Sequence, residues 1–331
     1  MDYFQLKKDI ENNSNIKNVY LFTGAEDFLK NSAIDNMIEK YVPLEVRELN
    51  ISYINEETSV KNIIDMYETL PFLADKRILI IKDINYIKDD EENIKKFAEK
   101  LKSGNDMCLM LILAEAIPKQ YQSISKAVTS VTFVTLNETL LVKWLIELAK
   151  KENVTLKKEN AELIIRYCLS DMTVLKNELD KLIMYVKDKN QVIEKEHIDL
   201  ITTKSVQYNV FKMLDYFEQG NFKIAYEMLN EVNSSYGQSS AILGAISAKY
   251  RNIYYVKSMQ EKGYKGDSIK NELGMNQYAF QAAVSSAKNT SKSRLNRVFE
   301  LLNKADYNIK SGLLKEQDAI EDVVINLFLN K

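Results

Sequence analysis

The 331-residue chain holds 9 glycines and 3 prolines, about a third of their combined share in an average globular protein. Turn-forming residues are scarce, so loops are few or short. Pro43, Pro71 and Pro118 are the three prolines, and the 213 residues beyond Pro118 contain none, a pattern that predicts nearly continuous helix there. Cysteine is equally sparse. Cys108 and Cys168 stand far apart among apolar neighbours, which reads as two small buried hydrophobes rather than a disulfide or a zinc site. The one histidine, His197, follows Glu194, Lys195 and Glu196 with no nucleophile or paired carboxylates about it, the setting of a solvated or helix-start residue. Long apolar runs are missing too. The longest, Cys108 to Ala114, falls well short of the roughly 20 residues that cross a bilayer, and the first residues are polar and charged, unlike a signal peptide. A soluble, cytoplasmic protein without a membrane partner is expected. With no metal site, no cofactor motif that survives inspection and no catalytic constellation, function has to be sought in binding.

What remains is a chain built to fold: 46% hydrophobic and 28% charged residues with a formal charge of −2 exclude disorder, and the length predicts two or three domains. The first part alternates strand and helix. Val19 to Phe22 is an apolar run ending in Thr23-Gly24, followed by Ile34, Met37, Ile38 and Tyr41 at helical spacing. Glu45 to Ile51 can form a second strand, after which Val60, Ile63, Ile64 and Tyr67 repeat the helical spacing before Leu70-Pro71 stops it. Ile78 to Ile81, Cys108 to Leu113 and Val131 to Leu136 complete five strands, separated by helices over Asn93 to Lys102 and around Ile124 to Val128. Unbroken apolar strands joined by helices predict an α/β domain whose parallel sheet is covered on both faces.

From Asn137 the period becomes 3.6 and is expected to stay so. Leu141, Trp144, Leu145 and Leu148 form one face, and Leu175, Leu179, Leu182 and Ile183 another, in a small all-α domain. A polar break at Thr202 to Ser205 precedes a second all-α series running to the end, in which Gly220, Gly263, Gly274 and Gly312 fall at expected helix ends. No 34-residue self-similarity marks a helical-repeat array.

Three features could carry function. The turn Gly24-Ala-Glu-Asp-Phe-Leu-Lys30-Asn31 has the length and strand-to-helix context of a phosphate-binding loop. It departs from one at two places, with Leu29 where a glycine must let backbone N–H groups approach phosphate and Asn31 where Ser or Thr would hold magnesium. Glu26 and Asp27 would repel a nucleotide besides. The second feature is the pair Phe72-Leu73 in the short link Leu70 to Arg77. Either the two fold under the sheet as core or they protrude as a hydrophobic plug, since each gains on the order of 1.5–3 kcal/mol by burial in either place. The third is residues 245 to 297, with ten Lys or Arg against three acids. Lys249, Arg251, Arg294 and Arg297 are its candidate DNA-facing cations, because phosphate neutralisation needs only clustered positive charge; the solvated outer face of helices is the other reading.

Several segments taken together resemble the delta-subunit family of bacterial DNA polymerase III clamp loaders, over essentially the whole chain. They are Val19-Tyr-Leu-Phe-Thr-Gly24-Ala-Glu-Asp-Phe28-Leu, Leu70-Pro-Phe-Leu-Ala-Asp-Lys-Arg77-Ile-Leu-Ile-Ile-Lys-Asp83, Asn177-Glu-Leu-Asp-Lys-Leu182 and Ala305-Asp-Tyr-Asn-Ile-Lys310-Ser-Gly312. Phe211-Lys-Met-Leu-Asp, Gly220-Asn-Phe-Lys-Ile-Ala225 and Arg251 fall between them at similar spacing. The resemblance implies an AAA+ type, P-loop NTPase-like domain over residues 1–138, a helical lid over 139–205 and a helical collar over 206–331. It further implies the fold of an ATPase without the activity, in line with Leu29 and Asn31 and with Thr173 where a sensor arginine would stand. Such a chain has no catalysis of its own but is a component of the DNA-directed DNA polymerase holoenzyme. The implied partners are the β sliding clamp, met through Leu70, Phe72 and Leu73, the tau or gamma ATPase subunits with delta prime in a pentamer, and primer-template DNA through the assembly. An active ATPase of helicase-loader type and a DNA-binding helical scaffold are the alternatives.

Overall fold

Five strands of the first 135 residues lie side by side in one parallel sheet in a computed structural model that describes residues 1–188, 191–236, 239–275 and 277–328. They are β1 (Val19–Thr23), β2 (Ile51–Ile54), β3 (Arg77–Ile81), β4 (Cys108–Leu113) and β5 (Thr129–Thr132), in the order β2-β3-β4-β1-β5. The register pairs Leu21 with Ile112 and Ser130, Leu79 with Met110, and Ser52 with Leu79. Side chains alternate between the faces of a strand, and in β1, β3 and β4 both sets are buried, as an apolar run predicts. Leu21, Leu79 and Met110 share one core with Ile63 and Tyr67 of the helix Val60–Glu68, Phe97 of the helix Glu91–Ser103 and Ile124 of the helix Gln122–Ala127. Towards the other face the Phe22 and Phe133 rings meet at 4.8 Å, and Tyr3 reaches Phe133 at 5.8 Å.

The helices begin where short polar side chains can accept the first free backbone donors. Ser59 accepts from Asn62 N, Asp90 from Asn93 N and Asn137 from Leu140 N. Two strand placements differ from the sequence reading. Glu45–Ile51 is not a strand: Leu44–Val46 is a 3₁₀ turn and Arg47–Asn50 one turn of helix, with β2 starting only at Ile51. Asn50 Nδ2 donates to Val46 O at 2.9 Å, closing the turn four residues back. The last strand spans Thr129–Thr132 instead of Val131 to Leu136, because it lies at the sheet edge where Thr and Ser suit the half-exposed face.

The chain divides into two compact units, Met1–Thr135 and Leu136–Lys331. The second is helical from Glu138–Lys151 onward, with one interruption absent from the periodicity: Thr155–Leu156 and Val192–Ile193 form a two-residue parallel ladder. Leu141, Leu145, Ile164, Leu175, Leu179 and Leu182 are fully buried in its first part. Beyond Ser205 the helices share a separate apolar cluster from Val210 to Phe328, in which Ser239–Glu261 packs against Val206–Glu218, Gln277–Asn289 and Lys292–Lys310. No helix among the described residues is long and apolar enough to cross a membrane.

Gly24 sits at φ +101°, and a Cβ built there would lie 2.1 Å from Phe133 O. Left-handed strain and a backbone clash then add, so Gly24→Ala is expected to cost on the order of 2–3 kcal/mol, read as a lowered urea midpoint. Both cysteines are buried and free, and burial pushes each thiol up to about 12. Since the thiolate is the nucleophile, neither should react with Ellman's reagent at pH 8 in the folded protein, and both should react at once in urea.

Candidate functional site

A parallel sheet has two distinct edges, and in this chain they are treated oppositely. At the edge where the strands end, Gly24 N donates to Glu115 O and Glu26 N to Phe133 O, both at 3.4 Å, so two of the turn's backbone donors already serve the protein itself. Lys30 is nearly buried, and its Nζ lies 3.0 Å from Asp27 Oδ1. Leu29 is buried in the core and Asn31 faces solvent. A triphosphate needs free N–H groups and a lysine able to reach it. In the turn from Gly24 to Asn31 two of those donors are spent and the lysine is buried, and the turn's acidic residues stand at the start of the helix Asp27–Tyr41 where an anion would have to sit. The site does not fit a nucleotide. Thr173 is exposed in the first turn of the helix Met172–Lys187, where its neutral hydroxyl brings no charge to stabilise a phosphate.

The edge where the strands begin carries the link from Thr69 to Lys76. The helix Val60–Glu68 ends as Thr69 N donates to Met66 O, and Thr69 Oγ1 donates to Asp65 O at 2.9 Å. Leu70, Phe72 and Leu73 then stand 70%, 55% and 75% exposed. The choice between core and protrusion, open in the residues alone, is resolved by this exposure: the pair is on the surface. The backbone beneath it is held. Phe72 N donates to Asn50 Oδ1 and Asn50 Nδ2 donates to Phe72 O, each at 2.7 Å. Three residues on, Asp75 N donates to Tyr41 O at 3.2 Å. Lys76 then donates from Nζ to Asn18 Oδ1 at 3.1 Å and to Asp106 O at 2.8 Å, with the ammonium 5.7 Å from the Tyr41 ring centroid. Leu73 lies at φ +50°, a conformation that a non-glycine residue adopts only when its surroundings impose it.

Asn50 is the member of this arrangement that sequence reasoning missed. It is fully buried, and its amide is engaged at both ends, since a buried amide left unpaired is costly. Nothing local marks it, for its partner lies 22 residues away. Leu49 beside it is exposed as well, and its carbonyl accepts from Arg77 Nη1 at 3.0 Å.

Not all cations of the basic segment face solvent. Lys249 is buried, with Nζ 2.6 Å from Asp215 Oδ1 and 3.3 Å from Glu218 Oε1. It is not a DNA-facing cation: the lysine is buried on the inner side of its helix, where two partly exposed carboxylates receive its charge. Lys257 donates to Ala287 O at 3.1 Å, and Lys292 pairs with Glu261 at 2.5 Å. Arg251 and Arg297 are exposed and Arg294 half-buried. His197 caps its own helix, accepting from Glu194 N at 3.2 Å through Nδ1, the helix-start role expected. Among the described residues no group of three or more His, Cys, Asp or Glu could hold a metal ion.

Comparison with known proteins identifies the family. A family model described as DNA polymerase III, delta subunit, matches residues 20–137, and one described as DNA polymerase III delta subunit, C-terminal domain, matches residues 207–327. DNA polymerase III subunit delta of Bacillus subtilis (strain 168) is 22% identical over 326 residues, covering 93% of this chain and 92% of that protein. The solved structure of the Bacillus subtilis DNA clamp loader delta protein superposes with a TM-score of 0.75 at 20% identity, over 98% of this chain and 99% of that one. It shares the fold of this chain, a parallel-sheet α/β unit followed by a mostly helical remainder. The two family models together account for most of the chain, and on them and the full-length relative the chain belongs to the DNA polymerase III delta subunit family, the delta subunits of the clamp loader.

Proposed function

We propose that this chain binds the β sliding clamp through Phe72 and Leu73, with Leu70 at the rim, and opens the ring for loading onto primed DNA. One observation carries the reading: a Phe and a Leu stand exposed side by side on a backbone that buried hydrogen bonds hold in place. Large apolar side chains on an ordered surface are the usual anchors of a protein interface, filling a partner's pocket that excludes water. A nucleotide cannot use them, and they lie at the sheet edge away from the turn that would hold one. The chain acts by binding. Ring opening follows from differential affinity: the clamp shifts to its open form only by as much as this surface prefers it.

The turn from Gly24 to Asn31 supports a subunit that hydrolyses no ATP itself, so energy input falls to neighbouring tau or gamma subunits, with delta prime completing a pentamer. Residues 1–138 form the clamp-binding domain in this reading, 139–205 the lid and 206–331 the collar that holds the pentamer. The self-contained apolar cluster from Val210 to Phe328 supports the last boundary. A helicase-loader ATPase is disfavoured by Lys30, which is buried against Asp27, and a DNA scaffold by Lys249, whose charge is met inside the fold. Contact with primer-template DNA belongs to the assembly.

Removing both anchors should cost about 3–6 kcal/mol of burial, or at least about a hundredfold in affinity. Phe72→Ala with Leu73→Ala should therefore abolish clamp capture by surface plasmon resonance while leaving the melting curve and collar assembly unchanged, and retained affinity would sink the reading. Titration of the unaltered chain with Mg-ATP in a calorimeter should give no saturable heat; a saturable signal would favour the ATPase alternative.

A further inference from the structure

Among the buried side chains of the first unit, Asn50 spends all of its donors on backbone that is distant or turned away from the sheet. Its two amino hydrogens go to Val46 O and Phe72 O, and its carbonyl oxygen accepts from Phe72 N. Gripping both polar groups of one residue is what a neighbouring strand does in a sheet ladder. Here a single side chain does it at the residue that carries the exposed ring. The next residue, Leu73, is held at φ +50°, a conformation that a free link would leave. With Phe72 pinned by Asn50 and Asp75 pinned by Tyr41 O, the segment between has little freedom.

We infer that Asn50 is the positioning residue of the clamp-binding surface: it holds the Phe72 peptide so that the Phe72 and Leu73 side chains face the partner before contact. This rests on the reading of Phe72 and Leu73 as the clamp anchors. Asn50 touches no partner itself. It acts by keeping the binding-competent form of the link populated, and the apparent dissociation constant rises in inverse proportion to that population. Leu73 in the left-handed region favours escape once the grip is gone.

The test begins with the unaltered chain. Hydrogen exchange should show the Phe72 amide strongly protected although the side chain is exposed, and exchange at the rate of an unfolded peptide would overturn the inference before any variant is made. Asn50→Ala should then weaken capture of the β clamp about tenfold, with the loss in the apparent association rate, because fewer molecules are binding-competent while the contacts of the formed complex are intact. Phe72→Ala with Leu73→Ala should instead speed dissociation. Asn50→Asp, nearly the same in shape, keeps an acceptor for Phe72 N but turns carboxylate oxygens on two carbonyls; it should bind no better than Asn50→Ala. Unchanged affinity in Asn50→Ala, or wild-type affinity in Asn50→Asp, overturns the positioning role while the double alanine variant still reports on the anchors. Retained affinity in the double variant overturns the anchors themselves, whatever Asn50 does.

Discussion

Parallel pairing of five strands is the constraint from which the first unit follows. Strands that all run one way need a return segment for every step, and in β1, β3 and β4 both faces are covered by helices and closed to water. The sheet then has no free face on which to build a site. Function is confined to its two edges, one where strands end and one where they begin. The ending edge is closed in this chain by its own groups, with Gly24 N given to Glu115 O, Glu26 N to Phe133 O and Lys30 to Asp27. The beginning edge stays open, and the exposed Phe72 and Leu73 stand there. The two edges thus differ in what they leave accessible: near Gly24 backbone donors are spent within the protein, and near Phe72 apolar side chains face solvent.

The two edges are held by different kinds of interaction. Near Gly24 the fit is steric: φ +101° and the nearness of Phe133 O leave no room for a side chain, so the turn is fixed by what cannot be there. Near Phe72 the fit is made of hydrogen bonds from one buried amide. Such bonds in a dry setting are stronger than the same bonds in water, and the cost of leaving them unmade is larger still. A link fixed in this way can leave its apolar side chains in solvent without collapsing onto the protein to hide them.

Much of this was legible in the residues. β1, β3 and β4 are read from unbroken apolar runs because burial on both faces leaves no polar position to interrupt them. The helix Val60–Glu68 is read from the spacing of Val60, Ile63, Ile64 and Tyr67. β2 is misplaced for the converse reason. As an edge strand it buries only Ile54, so its pattern is no stronger than that of the preceding turn, which the Asn50 side chain closes onto Val46 O. The side of the surface on which Phe72 and Leu73 lie was equally beyond local reading, since an apolar pair gains about the same from either burial. A partner 22 residues upstream decides it. Lys249 shows a further limit: composition counts its charge, but only packing shows that Asp215 and Glu218 face it.

That inward charge has a consequence for the second unit. Lys249 lies on the helix Ser239–Glu261, around which the apolar cluster is built, and its two carboxylates come from one turn of the helix Val206–Glu218. With the lysine buried and both carboxylates about a third exposed, the pair adds little net stability, but it penalises every packing in which the lysine loses its partners. Apolar side chains along two helices tolerate a slip by one turn; a lysine that must meet Asp215 and Glu218 does not. The pair therefore fixes how the two helices face each other, in a helical unit that has no proline to break its helices.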